Sequence, residues 1–492
     1  MATAVAERNR PTLALAASGS AAVVAAVVVQ VRVAGAMPPL MLAAWGTALV
    51  LAATIAVAVR RGGWFHPLAL PLGAVAVMSF GAPLWVQITH EPAGLLYDVG
   101  HAPSALPLAA VMSGRAGAAL ALTLVGYAAG ALAAQAIIRR PAAMHSQFRW
   151  GDMRRAGSRL MVAAAFAQAL VAILHRGSPY GAGQLQYGLA PLLGSAAAVV
   201  VLSGLVIVTL AAPQADKPAR LRDLLSGTEW AALLAFLGAV AVSGDRGGLI
   251  APAVYIAWAY GTRVRPVRFR WVITALAAAL VIASVIAGYR DGTGLSPGSP
   301  AAVLQGAAGD VNSPAWLMQQ TVQRVPSTSP YLNGSTYLAA AEAQLPGPLA
   351  RRTGATSRTA SAQFRNLIGF TDPNQGFAES YPSEAYLNAG LPGCLLAGVF
   401  LGALMGWAWR KHGAVPVRAR DVLYPVLLAG LVYGFRSDAL TQVKDVLYPM
   451  LAVWVMMGWY RRCQPADTVG QVLPVADRDV VAECDRGAPA GN

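Results

Sequence analysis

Apolar runs long enough to cross about 30 Å of hydrocarbon recur from near the N-terminus to about residue 460, each closed by polar or basic residues. They predict about twelve transmembrane helices, the first nine near 11–31, 38–59, 64–88, 116–138, 159–175, 190–211, 228–243, 248–262 and 270–288. The last three fall near 386–409, 422–436 and 445–460. The seventh and eighth runs are short and joined by Ser243-Gly244-Asp245-Arg246-Gly247-Gly248, so a helical hairpin dipping in from one face is an alternative to two full spans. The first run follows Arg8 and Arg10 as a signal peptide would, but its length and the runs behind it point to a retained helix.

The pattern predicts an all-α integral membrane fold. Transmembrane helices one to nine occupy 1–288, an external loop with short amphipathic helices 289–385, and helices ten to twelve 386–462. Residues 463–492 are polar, without apolar periodicity, and are expected to be a disordered tail. Within the loop, Ser313-Pro314 is a helix start, with Trp316, Leu317, Met318, Val322 and Val325 at helical spacing; Ser335 is placed to cap a second helix to about Leu345. Both would lie on the membrane surface. Residues Arg351 to Asn374, rich in Thr, Ser, Gly and Arg, read as a mobile lid.

Charge gives the pattern a direction. Loops carrying Arg60-Arg61, Arg139 to Arg159, Lys217 to Arg222, Arg263 to Arg270 and Arg410 to Arg420 fall on one side of the alternation, which the resistance of basic flanks to translocation marks as cytoplasmic. About 25 of the 37 Lys and Arg residues fall on that side. A plasma (inner) membrane protein with both termini in the cytoplasm follows, and the net charge of +15 reports topology. With 56% hydrophobic and 12% charged residues there is no basic soluble face for nucleic acid. Of the three cysteines, Cys394 falls in a helix and Cys463 and Cys484 in the tail, which leaves none for an external disulfide or zinc site.

Candidate chemistry gathers at the outer helix ends, where a charge is costly unless it meets water, headgroups or a ligand. Arg115 precedes helix four, Asp245 and Arg246 fill the seven-eight turn, Arg290 and Asp291 follow helix nine, and Arg436 and Asp438 fall in the eleven-twelve turn. Converging guanidiniums suit a pyrophosphate, to which they make paired charge-assisted hydrogen bonds; the bland alternative is that each snorkels to headgroups. Glu384 follows Ser383, a well-placed N-cap for helix ten. Its carboxylate either answers the helix dipole or serves as a general base. His90, His101 and His175 are scattered without metal-ligand spacing, and no phosphate loop, dinucleotide fingerprint or nucleophile elbow is present, so neither metal nor cofactor is expected.

Three pieces carry a family resemblance: SGDRGG in the seven-eight turn, GYRDG at the exit of helix nine, and NGSTYLAAAEAQLPGPLARR followed by YPSEAYLNAGLPG. With the topology, they resemble the Wzy-type oligosaccharide repeat-unit polymerases and, more distantly, the O-antigen ligases. The resemblance implies a fold similar to the C class of membrane glycosyltransferases and a substrate of sugar repeat units on undecaprenyl pyrophosphate. Flippase and chain-length regulator proteins are the partners it implies. Arg246, Arg290 and Arg436 would then hold the donor pyrophosphate and Glu384 would deprotonate the acceptor hydroxyl, with Asp245 and Asp438 as weaker candidates for that base. The product would be capsule, exopolysaccharide or a related glycan. Ligases typically carry a histidine in the large outer loop and this loop has none, which favours a polymerase. A ligase-like glycan transferase and a lipid-linked sugar flippase are the alternatives; a flippase would need ionisable residues at mid-helix, whereas the charges here cluster at helix ends.

Overall fold

The computed structural model describes residues 53–60, 63–76, 114–138, 150–174, 189–210, 220–242, 247–268, scattered positions in 270–282, 314–345, 349, 352–369, 379–412, 423–435 and 437–462. Among these residues the fold is all-helical. In chain order the helices are α1 (53–60), α2 (70–76), α3 (Gly114–Ile137), α4 (Trp150–Leu174), α5 (Leu189–Leu210), α6 (Gly227–Val242) and α7 (Gly247–Arg263). They continue as α8 (314–324), α9 (Ser335–Glu342), α10 (Ala355–Arg358), α11 (Ala360–Ile368), α12 (Tyr381–His412), α13 (Leu423–Gly434) and α14 (Ala439–Arg462). Three of them contain stretches long and apolar enough to cross a membrane: Gly114–Ile137, Met153–Ile173 and Tyr381–Arg410. The first expected span lies outside the described residues, and α6 and α7 are as short as the sequence expects.

The frame is the α3–α12 pair, brought into backbone contact by glycines. Gly126 and Gly130 lie one turn apart on α3, as do Gly398, Gly402 and Gly406 on α12. A Cβ built on Gly130 would sit 2.1 Å from the Val399 carbonyl oxygen, and one on Gly402 would sit 1.9 Å from that of Tyr127. Where apolar surroundings give helices no reason to avoid lipid, close backbone approach through small residues is what holds them together. Gly398, Gly402 and Gly406 meet Thr123, Tyr127 and Ala131 in rising order, so the two helices run parallel, as the alternation places helices four and ten.

Polar bonds tie the far end of this pair. Arg410 Nε donates to the Gln135 carbonyl at 2.7 Å, Tyr127 Oη donates to the Pro67 carbonyl at 2.9 Å, and Tyr424 Oη donates to that of Phe65. Alongside, α4 and α5 pack antiparallel at Gly157 and Gly204, where a Cβ on Gly204 would lie 2.5 Å from Met161 Cγ. Buried apolar residues of α3, α5, α7, α12 and α13 share one core with α8.

The region read as an external loop departs from expectation. α8 does start at Pro314, but Ala315, Leu317, Met318, Thr321 and Val322 are all buried, so it is packed into the core and does not lie on a surface. Ser335 is the first residue of α9 and not its cap; Gly334 precedes it in the left-handed region at φ 86° and makes no side-chain cap bond. The described part of the expected lid folds into α10 and α11, with Phe364 buried against Trp316 and Leu317.

Candidate functional site

The site begins at a break in α12. Pro392 has no N–H to offer the Asn388 carbonyl, and Gly390 at φ 63° takes a left-handed conformation that a side chain resists. A Cβ there would also meet Tyr331 Oη at 2.8 Å. The two carbonyls freed by the break are answered from the preceding loop: Leu332 N donates to Leu387 O and Asn333 N to Asn388 O, each at 3.0 Å. A kink with its orphan acceptors satisfied is stable, and here it fastens the loop onto the helix.

The same bonds position three polar side chains. Gly334 N donates to Asn388 Oδ1 at 2.9 Å, and Asn388 Nδ2 donates to Thr336 Oγ1 at 2.6 Å and to the Glu384 carbonyl at 2.8 Å. Thr336 Oγ1 donates in turn to Glu384 Oε1 at 2.7 Å, while Glu384 Oε2 accepts from the backbone N–H of Ala439 at 2.6 Å. Glu384 thus joins α9, α12 and the start of α14, and it is 1% exposed. Burial penalises its charged form, and the two donors favour it.

Two further carboxyls lie beside it. Asp438 accepts from Thr441 N and Thr441 Oγ1 through Oδ1, at 3.0 and 2.8 Å, and from Ser361 Oγ through Oδ2 at 2.9 Å. It is the N-cap of α14, which accounts for its presence without catalysis. Glu379 is fully buried, and neither of its oxygens has a hydrogen-bond partner among the described residues. Burial pushes its pKa well above the ordinary carboxyl range; the nearby Ser383 hydroxyl moderates this, and Glu384 and Asp438 add to it. That hydroxyl, 3.0 Å from Thr321 Oγ1, helps electrostatically without an aligned hydrogen bond to Glu379. Ser383 is therefore not the N-cap of α12, which starts two residues earlier at Tyr381.

A cleft of about 740 Å3 opens beside this network between α9, α12, α13 and α14. Its polar end carries Asn333, Tyr337, Asn388 and Gln442, and its apolar walls reach Met405 and Met450. From Ala439 to Met450 it follows α14 for about 17 Å, close to the depth of one leaflet's hydrocarbon. Glu384 does not line the cleft; its neighbours Ala385, Asn388 and Ala439 do.

Of the residues singled out from sequence, Glu384 and Asp438 come together here. Asp245, Arg246, Arg290 and Arg436 lie outside the described residues, as do His90, His101 and His175. Arg115 donates to Tyr331 Oη at 3.5 Å and its guanidinium sits 5.8 Å from the Tyr386 ring centroid, so aromatic contacts engage it. Thr336, Asn388 and Glu379 escape a search for charged helix ends, although Glu384 and Asn388 stand one turn apart in YPSEAYLNAGLPG. No group of three or more His, Cys, Asp or Glu placed to hold a metal occurs among the described residues. No protein-family model matches the chain, and no curated protein and no solved structure is significantly similar to it.

Proposed function

We propose that the protein is a membrane glycosyltransferase that polymerises undecaprenyl-pyrophosphate-linked oligosaccharide repeat units on the outer face of the plasma membrane. In this reading it has about twelve transmembrane helices in a C-class-like arrangement and both termini in the cytoplasm. The observation that carries the reading is a buried carboxylate, hydrogen-bonded to a hydroxyl, beside the polar end of an apolar cleft of leaflet depth. An amphiphile with a long apolar tail and a polyhydroxyl head matches both ends of that cleft.

The chemistry follows from the donor to Glu384 Oε1. That donor is the Thr336 hydroxyl. An acceptor sugar hydroxyl entering past Thr336 and Asn388 would take its place. The hydroxyl oxygen attacks the anomeric carbon of the donor, the bond from that carbon to pyrophosphate breaks, and the proton passes to Glu384. Undecaprenyl pyrophosphate leaves with the bonding electrons, its growing negative charge met by Arg246, Arg290 and Arg436. Asp438, committed to capping α14, is left out of the reaction.

Deleting the gene and resolving the cell's lipid-linked glycans on a gel tests the reading. Single repeat units should accumulate, and a plasmid copy should restore the ladder, with neither Arg246→Ala nor Glu384→Ala doing so. Long chains persisting without the gene would count against a polymerase, and restoration by both variants against this site.

A further inference from the structure

Among the described residues, the polar side chains that line the cleft are Asn333, Tyr337, Tyr381, Asn388 and Gln442. The fold already uses three of them. Asn388 engages its carbonyl oxygen and its amino group with Gly334, Thr336 and the Glu384 carbonyl. Tyr381 Oη donates to the Ala397 carbonyl at 3.1 Å, and Gln442 Nε2 donates to the Ser437 carbonyl at 3.3 Å. The side-chain amide of Asn333 and the hydroxyl of Tyr337 have no hydrogen-bond partner among the described residues.

Backbone geometry presents this pair to the cleft. Among the described residues Asn333 is the one non-glycine residue with a left-handed backbone, at φ 49°, and Gly334 follows at φ 86°. Such a conformation persists where its surroundings hold it. Here the Asn333 N–H is held by the Asn388 carbonyl and the Gly334 N–H by Asn388 Oδ1, which leaves the Asn333 amide on the cleft wall. Tyr337 stands four residues on, in the first turn of α9, so the two bracket Thr336, the donor to Glu384 Oε1. Burial first, and then the nearby charge of Glu384, hold the Tyr337 pKa above the ordinary phenol value, so its hydroxyl keeps a proton to donate.

An amide and a phenol are both neutral, and both donate and accept. A sugar hydroxyl does the same, whereas ionised phosphate oxygens only accept. Two such groups at the polar end of an apolar cleft hold a hydroxylated ring at two points, and a ring lacking the matching hydroxyl leaves one of them unpaired. We propose that Asn333 and Tyr337 form a sugar-binding subsite that sets which hydroxyl of the cleft's occupant meets Glu384. The subsite rests on the reading of the cleft as the place of a lipid-linked glycan. Both are positioning residues, and the proton still passes to Glu384.

The full-length protein, purified in an amine-oxide detergent, is titrated with dodecyl maltoside and, separately, with dodecanol, and the bound fraction is read by native mass spectrometry. Tyr337→Phe keeps the ring and Asn333→Gly keeps the left-handed backbone, so each removes a polar group and little else. Wild type should retain one dodecyl maltoside and bind it more tightly than dodecanol. Each variant should bind the maltoside about fivefold more weakly, as the loss of one hydrogen bond requires, and dodecanol as well as wild type does. Wild type that retains no maltoside, or binds both probes alike, overturns the subsite. Undiminished maltoside affinity in either variant overturns it too, as does an equal loss for dodecanol, which would place the effect on the apolar walls. In a chain-extension assay the same variants should raise KM for the lipid-linked repeat unit about fivefold, more than they lower kcat, and an unchanged KM would remove the pair from substrate binding. A wild type that adds no unit defeats the polymerase reading by itself; the maltoside titration then decides the subsite.

Discussion

The Thr336 hydroxyl donates to Glu384 Oε1 at 2.7 Å, joining residues 48 positions apart with both side chains buried. The same hydroxyl oxygen accepts from Asn388 Nδ2, so one threonine completes the hydrogen bonding of two groups on the kinked helix. Thr336→Val keeps the shape and removes both bonds, leaving a carboxylate oxygen and an amide N–H short of a partner. The expected cost is about 2 kcal/mol, with Thr336→Ser close to wild type; thermal unfolding in detergent measures both. Equal stability of the valine and serine variants would remove Thr336 from the network.

The α3–α12 contact leaves no room for side chains. Gly402→Leu drives a branched side chain into the Tyr127 backbone, 1.9 Å from where its Cβ would stand, and should cost about 3 kcal/mol or more. Gly458→Leu, with nothing within 4 Å, is the matched control and should be near neutral. Fluorescence-detected size exclusion reads both: a monodisperse peak from Gly402→Leu at wild-type yield would contradict the packing.

Glu379 sets a pH dependence. Because burial raises its folded pKa, the folded protein keeps a proton that the unfolded chain releases near its ordinary pKa of about 4.3. Its contribution is fully present below that value and is lost as pH rises toward the folded pKa, with a slope of up to about 1.4 kcal/mol per pH unit. Glu379→Gln mimics the protonated acid. Its unfolding midpoint should fall less than that of wild type between pH 5 and the folded pKa, and parallel curves would show that Glu379 holds no extra proton.

Asp438 separates a cap from a base. Asn caps helices as well as Asp does, so Asp438→Asn should keep stability and chain-lengthening activity, while Asp438→Ala should lose about 1 kcal/mol of stability. An active-site base would give the opposite pattern, with Asp438→Asn folded and inactive.

Helices held by apolar runs were legible in the sequence: α3 lies within two residues of its expected bounds. Polar stretches were not. Helix ten reads from the sequence as starting after Ser383, because the residues before it are polar; it starts at Tyr381, and Thr336, Gly334 and Ala439 satisfy the side chains of its first two turns from other segments. The kink was signalled by Gly390 and Pro392, and the α3–α12 contact by glycines at four-residue spacing, a pattern that a search for charged helix ends passes over. Glu384 was found from its place beside the loop, but its engagement by α9 and α14 depends on contacts no local pattern carries. The buried fit of α8 likewise comes from tertiary packing, since its apolar spacing alone is equally that of a surface helix.

The most direct measurement is chain extension by the purified protein in liposomes, supplied with the cell's own lipid-linked repeat units and read as product length. Wild type should build a ladder, and Glu384→Gln, folded with an unfolding midpoint near that of wild type, should extend chains at least about a hundredfold more slowly. A folded Glu384→Gln protein that builds the ladder at the wild-type rate, or a wild type that adds no unit, would contradict the account.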